Sequence, residues 1–95
     1  MAVHLIVLTC SIDSIDNGPG AEIIKNIKKR YPTHYPVGNN NYLVRSKEVA
    51  AQVANNVGLK GDDKVDDATG VVFKLNTTYS GYESSSLWDW MELEE

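Results

Sequence analysis

Four β-rich runs alternate with two stretches of helical periodicity along the chain, in the order strand, helix, strand, strand, helix, strand. The β-rich runs cover residues 3–9, 33–37, 42–45 and 70–75, and the helical stretches cover residues 19–30 and 47–57. This order is that of the split βαβ motif, in which two helices pack on one face of a four-stranded antiparallel sheet. The sequence therefore predicts an α+β fold, a ferredoxin-like βαββαβ unit.

Apolar spacing and helix-end residues support the two predicted helices. Pro19 suits a first helical turn, where its missing N–H costs nothing, and Pro32 ends the same helix. Ser46 is a candidate N-cap of the second helix, and Gly58 is a typical residue just beyond a helix end. Apolar residues recur on one face of each helix; they are Ile23, Ile24, Ile27 and Tyr31 in the first, and Val49, Ala50, Val53, Ala54 and Val57 in the second.

The predicted strands differ in their expected position in the sheet. Residues 3–9 are almost continuously apolar, which is typical of a central strand. Pro36 cannot donate a hydrogen bond to a neighbouring strand, so the strand at residues 33–37 is expected at an edge. A turn at residues 38–41, rich in Gly and Asn, joins that strand to the next as a hairpin. Residues 10–18 are expected to form a polar loop.

The chain has 95 residues, the length of one domain, so residues 1–95 are interpreted as a single domain. Its last part, residues 84–95, is predicted to be a short C-terminal arm or helix with an acidic end. Four apolar residues of this arm are candidates for docking or dimerisation, because large apolar side chains favour burial; they are Leu87, Trp88, Trp90 and Met91. A small core and an open sheet face favour a homodimer.

The longest apolar run, residues 5–8, is too short to span a bilayer. The N-terminus lacks the basic region and cleavage site of a signal peptide. We therefore expect a cytoplasmic protein without a membrane partner. Cys10 is the only cysteine, which excludes an intrachain disulfide and favours a buried structural thiol over a nucleophile.

The net charge of −4 gives the chain no overall attraction for a polyphosphate. A local basic cluster nevertheless lies near the end of the first predicted helix, at Lys25, Lys28, Lys29 and Arg30. These side chains are candidates for contacts with nucleic acid, although such charges on an amphipathic helix are usually only solvated. Nucleic acid is therefore a less favoured partner than protein.

Acidic residues after the first strand are the candidates for catalysis. Asp13 and Asp16 could bind a metal ion or act as an acid–base pair, or they could simply belong to a polar loop that caps the next helix. A hard cation needs several oxygen ligands, and only two carboxylates are close in sequence. Neither a metal nor a cofactor is predicted.

Four further groups of residues are open to a functional or a structural interpretation. Residues 17–20 resemble a phosphate-binding loop but lack the spacing of one, and the aspartates in residues 62–67 lack the spacing of an EF-hand. His4 and His34 are too few for a metal centre. Three tyrosines could either stack on nucleotide bases or pack on the sheet; they are Tyr31, Tyr35 and Tyr42.

Five segments together resemble the SinR-like relatives of the small CRISPR-associated endoribonuclease that partners the spacer integrase. They are residues 4–8, 41–46, 62–64, 71–75 and 86–90. The resemblance covers nearly the whole chain and implies a ferredoxin-like fold and a dimer. In the catalytic members, an aspartate at the end of the first strand of each subunit holds a metal ion. The matching position here is Thr9, whose neutral hydroxyl is a poor Mg²⁺ ligand.

Because this chain lacks the catalytic aspartate, the resemblance implies a small non-catalytic binding or regulatory protein that acts by protein contact. Such a protein would come from a mobile element or be linked to host defence. The alternative is a metal-dependent endoribonuclease in which Asp13 or Asp16 replaces the usual ligand. A third hypothesis is a sensor that binds a small molecule at a dimer seam.

Overall fold

The computed structural model describes residues 2–75 and 90–91. Its elements are β1 (Ala2–Leu8), α1 (Ile12–Asn17), α2 (Pro19–Arg30), β2 (His34–Pro36), β3 (Asn41–Ser46), α3 (Ala50–Val57) and β4 (Gly70–Lys74). The four strands form one sheet in the order β2-β3-β1-β4, with each neighbouring pair antiparallel. The predicted α+β fold of the ferredoxin-like type is confirmed. No helix in the described residues is long and apolar enough to cross a membrane.

One face of the sheet forms the main core with the helices. Alternate residues of β1, namely His4, Ile6 and Leu8, are fully buried on this face, and Val44 of β3 lies beside them. Helices α2 and α3 contribute four residues that are equally inaccessible to solvent: Ile23, Ile27, Val53 and Val57. The helical periodicity in the sequence therefore marks the residues that cover the sheet.

Strand β2 lies at an edge of the sheet, as Pro36 predicts. The amide of Val37 donates to the carbonyl of Asn41 in β3 at 2.8 Å. Since N–H groups point alternately to the two sides of a strand, the nitrogen of Pro36 faces the outer edge, where no hydrogen bond to β3 is lost. The connecting turn uses Gly38 at a φ of 76°, a conformation that glycine adopts without strain.

The polar loop predicted at residues 10–18 is wrong, because this segment contains helix α1. Ser11 caps the helix, and its Oγ accepts a hydrogen bond from the amide of Ser14 at 3.2 Å. Ile15 is buried in the main core. Gly20 lets α1 approach α2, since a Cβ at this position would lie 2.9 Å from the Sγ of Cys10 and 3.0 Å from the Cα of Ile15.

The helix predicted at residues 47–57 begins later, at Ala50, and Ser46 is not its N-cap. Ser46 is instead the last residue of β3. Its Oγ accepts from the amide of Glu48 at 2.9 Å and donates to the carboxylate of Glu48 at 2.7 Å. The serine therefore shapes the turn between β3 and α3.

The second face of the sheet carries a smaller apolar cluster around Leu43 and Trp90. The guanidinium of Arg45 lies 4.0 Å from the centroid of the Trp90 ring and donates a hydrogen bond to the Trp90 carbonyl. Such a stacked cation attracts the ring electrostatically. Of the apolar residues assigned to the C-terminal arm, Trp90 and Met91 pack in this cluster, while Leu87 and Trp88 lie outside the described residues.

We expect Trp90→Ala to lower the free energy of unfolding by about 3–5 kcal/mol, because it removes a buried aromatic side chain. Urea unfolding followed by circular dichroism measures the loss. Met91→Ala is the control at the neighbouring, more exposed position, where the loss should be smaller. Equal midpoints for the wild type and Trp90→Ala would show that this ring does not stabilise the domain.

Candidate functional site

The end of β1, helices α1 and α2, and the β2–β3 turn enclose a cleft of about 600 Å³, here called the β1 cleft. It brings together Cys10, Asp16 and Lys28. The sequence predicts a structural thiol, a candidate catalytic carboxylate and a candidate nucleic-acid contact at these positions. The remaining lining residues are Ile12, Ile15, Ile24, Asn39, Asn40 and Tyr42. The cleft thus combines apolar side chains with polar ones, and polar groups form the larger part of its exposed lining.

Main-chain contacts fix the walls of the β1 cleft. The amide of Leu8 donates to the carbonyl of Asn40 at 2.8 Å, and the Asn40 side chain donates back to the carbonyl of Leu8 at 3.0 Å. This reciprocal pair ties the β2–β3 turn to the end of β1. On the other side, the amide of Gly20 donates to the Oγ of Ser14 at 3.0 Å and joins α1 to α2.

Tyr42 contributes a polar group to the cleft from an otherwise buried side chain. The residue is only 8% exposed, and its hydroxyl makes no hydrogen bond to any described residue. Burial raises the pKa of the Tyr42 phenol above its usual value of 10.0, so the hydroxyl remains protonated at neutral pH. Tyr42 can therefore either donate or accept a hydrogen bond in the cleft.

The candidate catalytic residues do not converge on one point. Thr9 is exposed, and its amide is bound to the carbonyl of Thr69 at 2.9 Å beside the start of β4. Asp13 and Asp16 are exposed on α1, but only Asp16 lines the β1 cleft. Within residues 2–75 and 90–91, no group of three or more His, Cys, Asp or Glu residues could hold a metal ion.

The four basic residues of α2 are divided among different surroundings. Lys25 is exposed, and Lys28 lines the β1 cleft. Lys29 and Arg30 lie beside a separate depression that also includes Asn26. Because these charges are divided between two of the clefts that the described residues form, they make a poor track for a nucleic-acid backbone.

The candidate aromatic and histidine side chains also have separate environments. Tyr31 donates to Glu48, Tyr35 packs in the second-face cluster, and Tyr42 lines the β1 cleft. His34 Nδ1 lies 2.8 Å from the carbonyl of Tyr31. His4 is fully buried, and burial, reinforced by Lys74, lowers its pKa. The described rings therefore do not form a continuous stacking platform.

A second cleft, of about 480 Å³, lies beside the end of α3 and is mainly polar. Asp62 and Asp63 line it, whereas Asp66 and Asp67 are exposed outside it. Four side-chain amides line the same cleft, from Asn26, Gln52, Asn55 and Asn56. The acidic loop is therefore split between this cleft and open solvent.

Glu48 is the centre of a polar network that the sequence reasoning missed. One carboxylate oxygen accepts from Ser46 at 2.7 Å and from Tyr31 at 3.0 Å. The other accepts from Asn56 at 2.8 Å and from Arg30 at 3.3 Å. The hydrogen bond from Ser46 is the largest cause that holds the pKa of Glu48 at about 2, against the usual 4.5. Ser46 is two residues away, but Tyr31, Arg30 and Asn56 belong to other parts of the chain, so a local sequence signal could not have revealed the network as a whole.

No family model matches the chain, and no curated protein or solved structure matches it. The resemblance to the SinR-like proteins therefore stays a prediction that rests on the sequence.

Protonation of Glu48 should destabilise the fold. Because its folded pKa lies below the unfolded value, its contribution is present above pH 4.5 and is lost as the pH falls toward about 2. The side chain is 27% exposed, so we expect Glu48→Gln to lower the free energy of unfolding near neutral pH by about 1–3 kcal/mol.

Urea titrations between neutral pH and pH 2 measure this effect. The difference between the wild type and Glu48→Gln should shrink as the pH falls, whereas Glu22→Gln, at an exposed position in α2, should follow the wild type throughout. A difference that is the same at every pH would contradict a role for Glu48 ionisation.

Proposed function

We propose that this chain is a small non-catalytic binding protein that acts by protein contact as a homodimer, and that two copies join through β4. The observation that carries the proposal is the exposure of Val71 and Phe73, at 46% and 51%, on an edge strand. Among the described strands, β4 pairs only with β1. An apolar edge of this kind favours pairing with another strand.

The hydrogen-bonding groups of β4 support a specific register. The amide of Leu75 donates to the carbonyl of Val3 at 2.9 Å. Because these groups alternate along a strand, the N–H and C=O groups of Phe73 and Val71 also face β1. Those of Gly70, Val72 and Lys74 point to the free edge. A second β4 can therefore pair antiparallel about a two-fold axis at Val72.

This register also places compatible side chains opposite one another. Val71 of one copy lies opposite Phe73 of the other, and the symmetry repeats the pair. A β-branched residue opposite an aromatic residue stabilises antiparallel strands. Lys74 lies opposite Gly70 rather than opposite a second Lys74, so the pairing brings no like charges face to face.

The resemblance to the SinR-like proteins supports the same proposal, because it implies a dimer and leaves Thr9 where the catalytic members have an aspartate. The exposed threonine offers a neutral hydroxyl in place of a carboxylate. The alternative function, a metal-dependent endoribonuclease, would have to use Asp13 or Asp16. These two exposed carboxylates lie on one short helix.

We expect the wild type to be a dimer at micromolar concentration and Phe73→Lys to be a monomer, because the substitution places a charge opposite Val71 of the other copy. Sedimentation equilibrium measures both, and circular dichroism checks that the variant is folded. Val49→Lys is the matched control, since Val49 is 67% exposed but lies outside the sheet.

The control should remain a dimer. A monomeric wild type would refute the homodimer, and a dimer unaffected by Phe73→Lys would refute its formation through β4.

We expect no cleavage of single-stranded or structured RNA or DNA with Mg²⁺ or Mn²⁺, because a metal-dependent nuclease needs carboxylates that hold the ion. Gel assays of the wild type, Asp13→Ala and Asp16→Ala test this. Cleavage that either substitution abolishes would support the endoribonuclease instead. Metal-dependent cleavage gained in Thr9→Asp would support the family resemblance.

A further inference from the structure

The proposed homodimer makes no use of the β1 cleft. Four of its lining residues have large apolar side chains or rings: Ile15 and Tyr42 are buried, Ile24 is half-buried, and Ile12 is 69% exposed. These side chains form the apolar part of a mainly polar lining, in a volume within the usual range for small-molecule sites. A ligand with an apolar body would cover Ile12, which is otherwise in contact with water.

Two side chains of opposite charge flank this apolar surface. Asp16 comes from α1 and Lys28 from α2, and both are exposed. Neither forms an ion pair with a described residue. A ligand that carries one ammonium and one carboxylate would complement both charges, whereas a polyphosphate would meet a single cation and be repelled by Asp16.

The hydroxyl of Tyr42 supplies a third recognition group. Tyr42 is more than nine-tenths buried and lines the cleft, and its hydroxyl has no hydrogen-bond partner among the described residues. A carboxylate is a strong acceptor for such a donor. The hydrogen bonds between Leu8 and Asn40 hold the opposite wall, so the site is largely formed before a ligand binds.

We propose that the β1 cleft binds a free α-amino acid with an apolar side chain. Lys28 and Tyr42 hold its carboxylate, Asp16 holds its ammonium, and the isoleucines contact its side chain. The site lies at the end of β1 rather than along β4, so the proposal does not depend on the homodimer.

Isothermal titration calorimetry of the full chain with L-leucine, L-isoleucine and L-phenylalanine tests the proposal. At least one should bind, while leucinamide, N-acetyl-leucine and serine should bind at least tenfold more weakly, since each lacks one recognised group. No binding of any of the three amino acids at millimolar concentration would overturn the proposal. Equal binding of leucine and leucinamide, or tighter binding of ATP, would also overturn it.

Matched substitutions locate the site. Lys28→Gln and Asp16→Asn should weaken binding roughly tenfold to a hundredfold, because each removes a charged partner. Tyr42→Phe should weaken it roughly twofold to tenfold. The controls Lys25→Gln and Asp13→Asn change the same residue types on the same two helices outside the cleft, and they should bind as the wild type does. Equal effects of Lys28→Gln and Lys25→Gln would show that the cleft is not the site.

Discussion

Strand β1 is the element on which the rest of the structure depends, because it connects the β2–β3 hairpin to β4 and faces both apolar clusters. It joins β3 to β4, and its alternate side chains separate the two apolar clusters. His4, Ile6 and Leu8 face the helices, while Val3 and Leu5 face the cluster that contains Trp90. A shift of this strand by one residue would exchange the side chains that face the helices with those that face Trp90, and it would disrupt both clusters.

The fold could be predicted because its signals are local. Helices α2 and α3 are marked by apolar spacing, and Pro36 alone places β2 at an edge. Helix α1 was missed because six residues with two isoleucines give too short a pattern to distinguish from a loop. The start of α3 was misplaced because the hydroxyl of Ser46 binds Glu48 in the turn instead of capping the helix.

The candidate site could be predicted only in fragments. The sequence indicates a structural thiol at Cys10, a candidate metal ligand or acid–base group at Asp16 and a candidate nucleic-acid contact at Lys28. Folding brings them to one cleft because α1 and α2 pack beside the end of β1, a long-range consequence of topology. The Glu48 network shows the same limit, since its partners Arg30 and Asn56 lie on different helices and the former also belongs to the basic cluster.

The outer edge of β2 has a consequence for how far an assembly of this chain can grow. In a dimer joined through β4, the continuous sheet would have eight strands, and both of its outermost strands would be β2. Each presents Pro36, whose nitrogen carries no hydrogen, on a strand of only three residues. A further strand would find no donor at Pro36, which leaves only the amide of His34 facing outward on this strand. The two unequal edges of one small domain would thus make its association self-limiting, a closed pair instead of an open fibre.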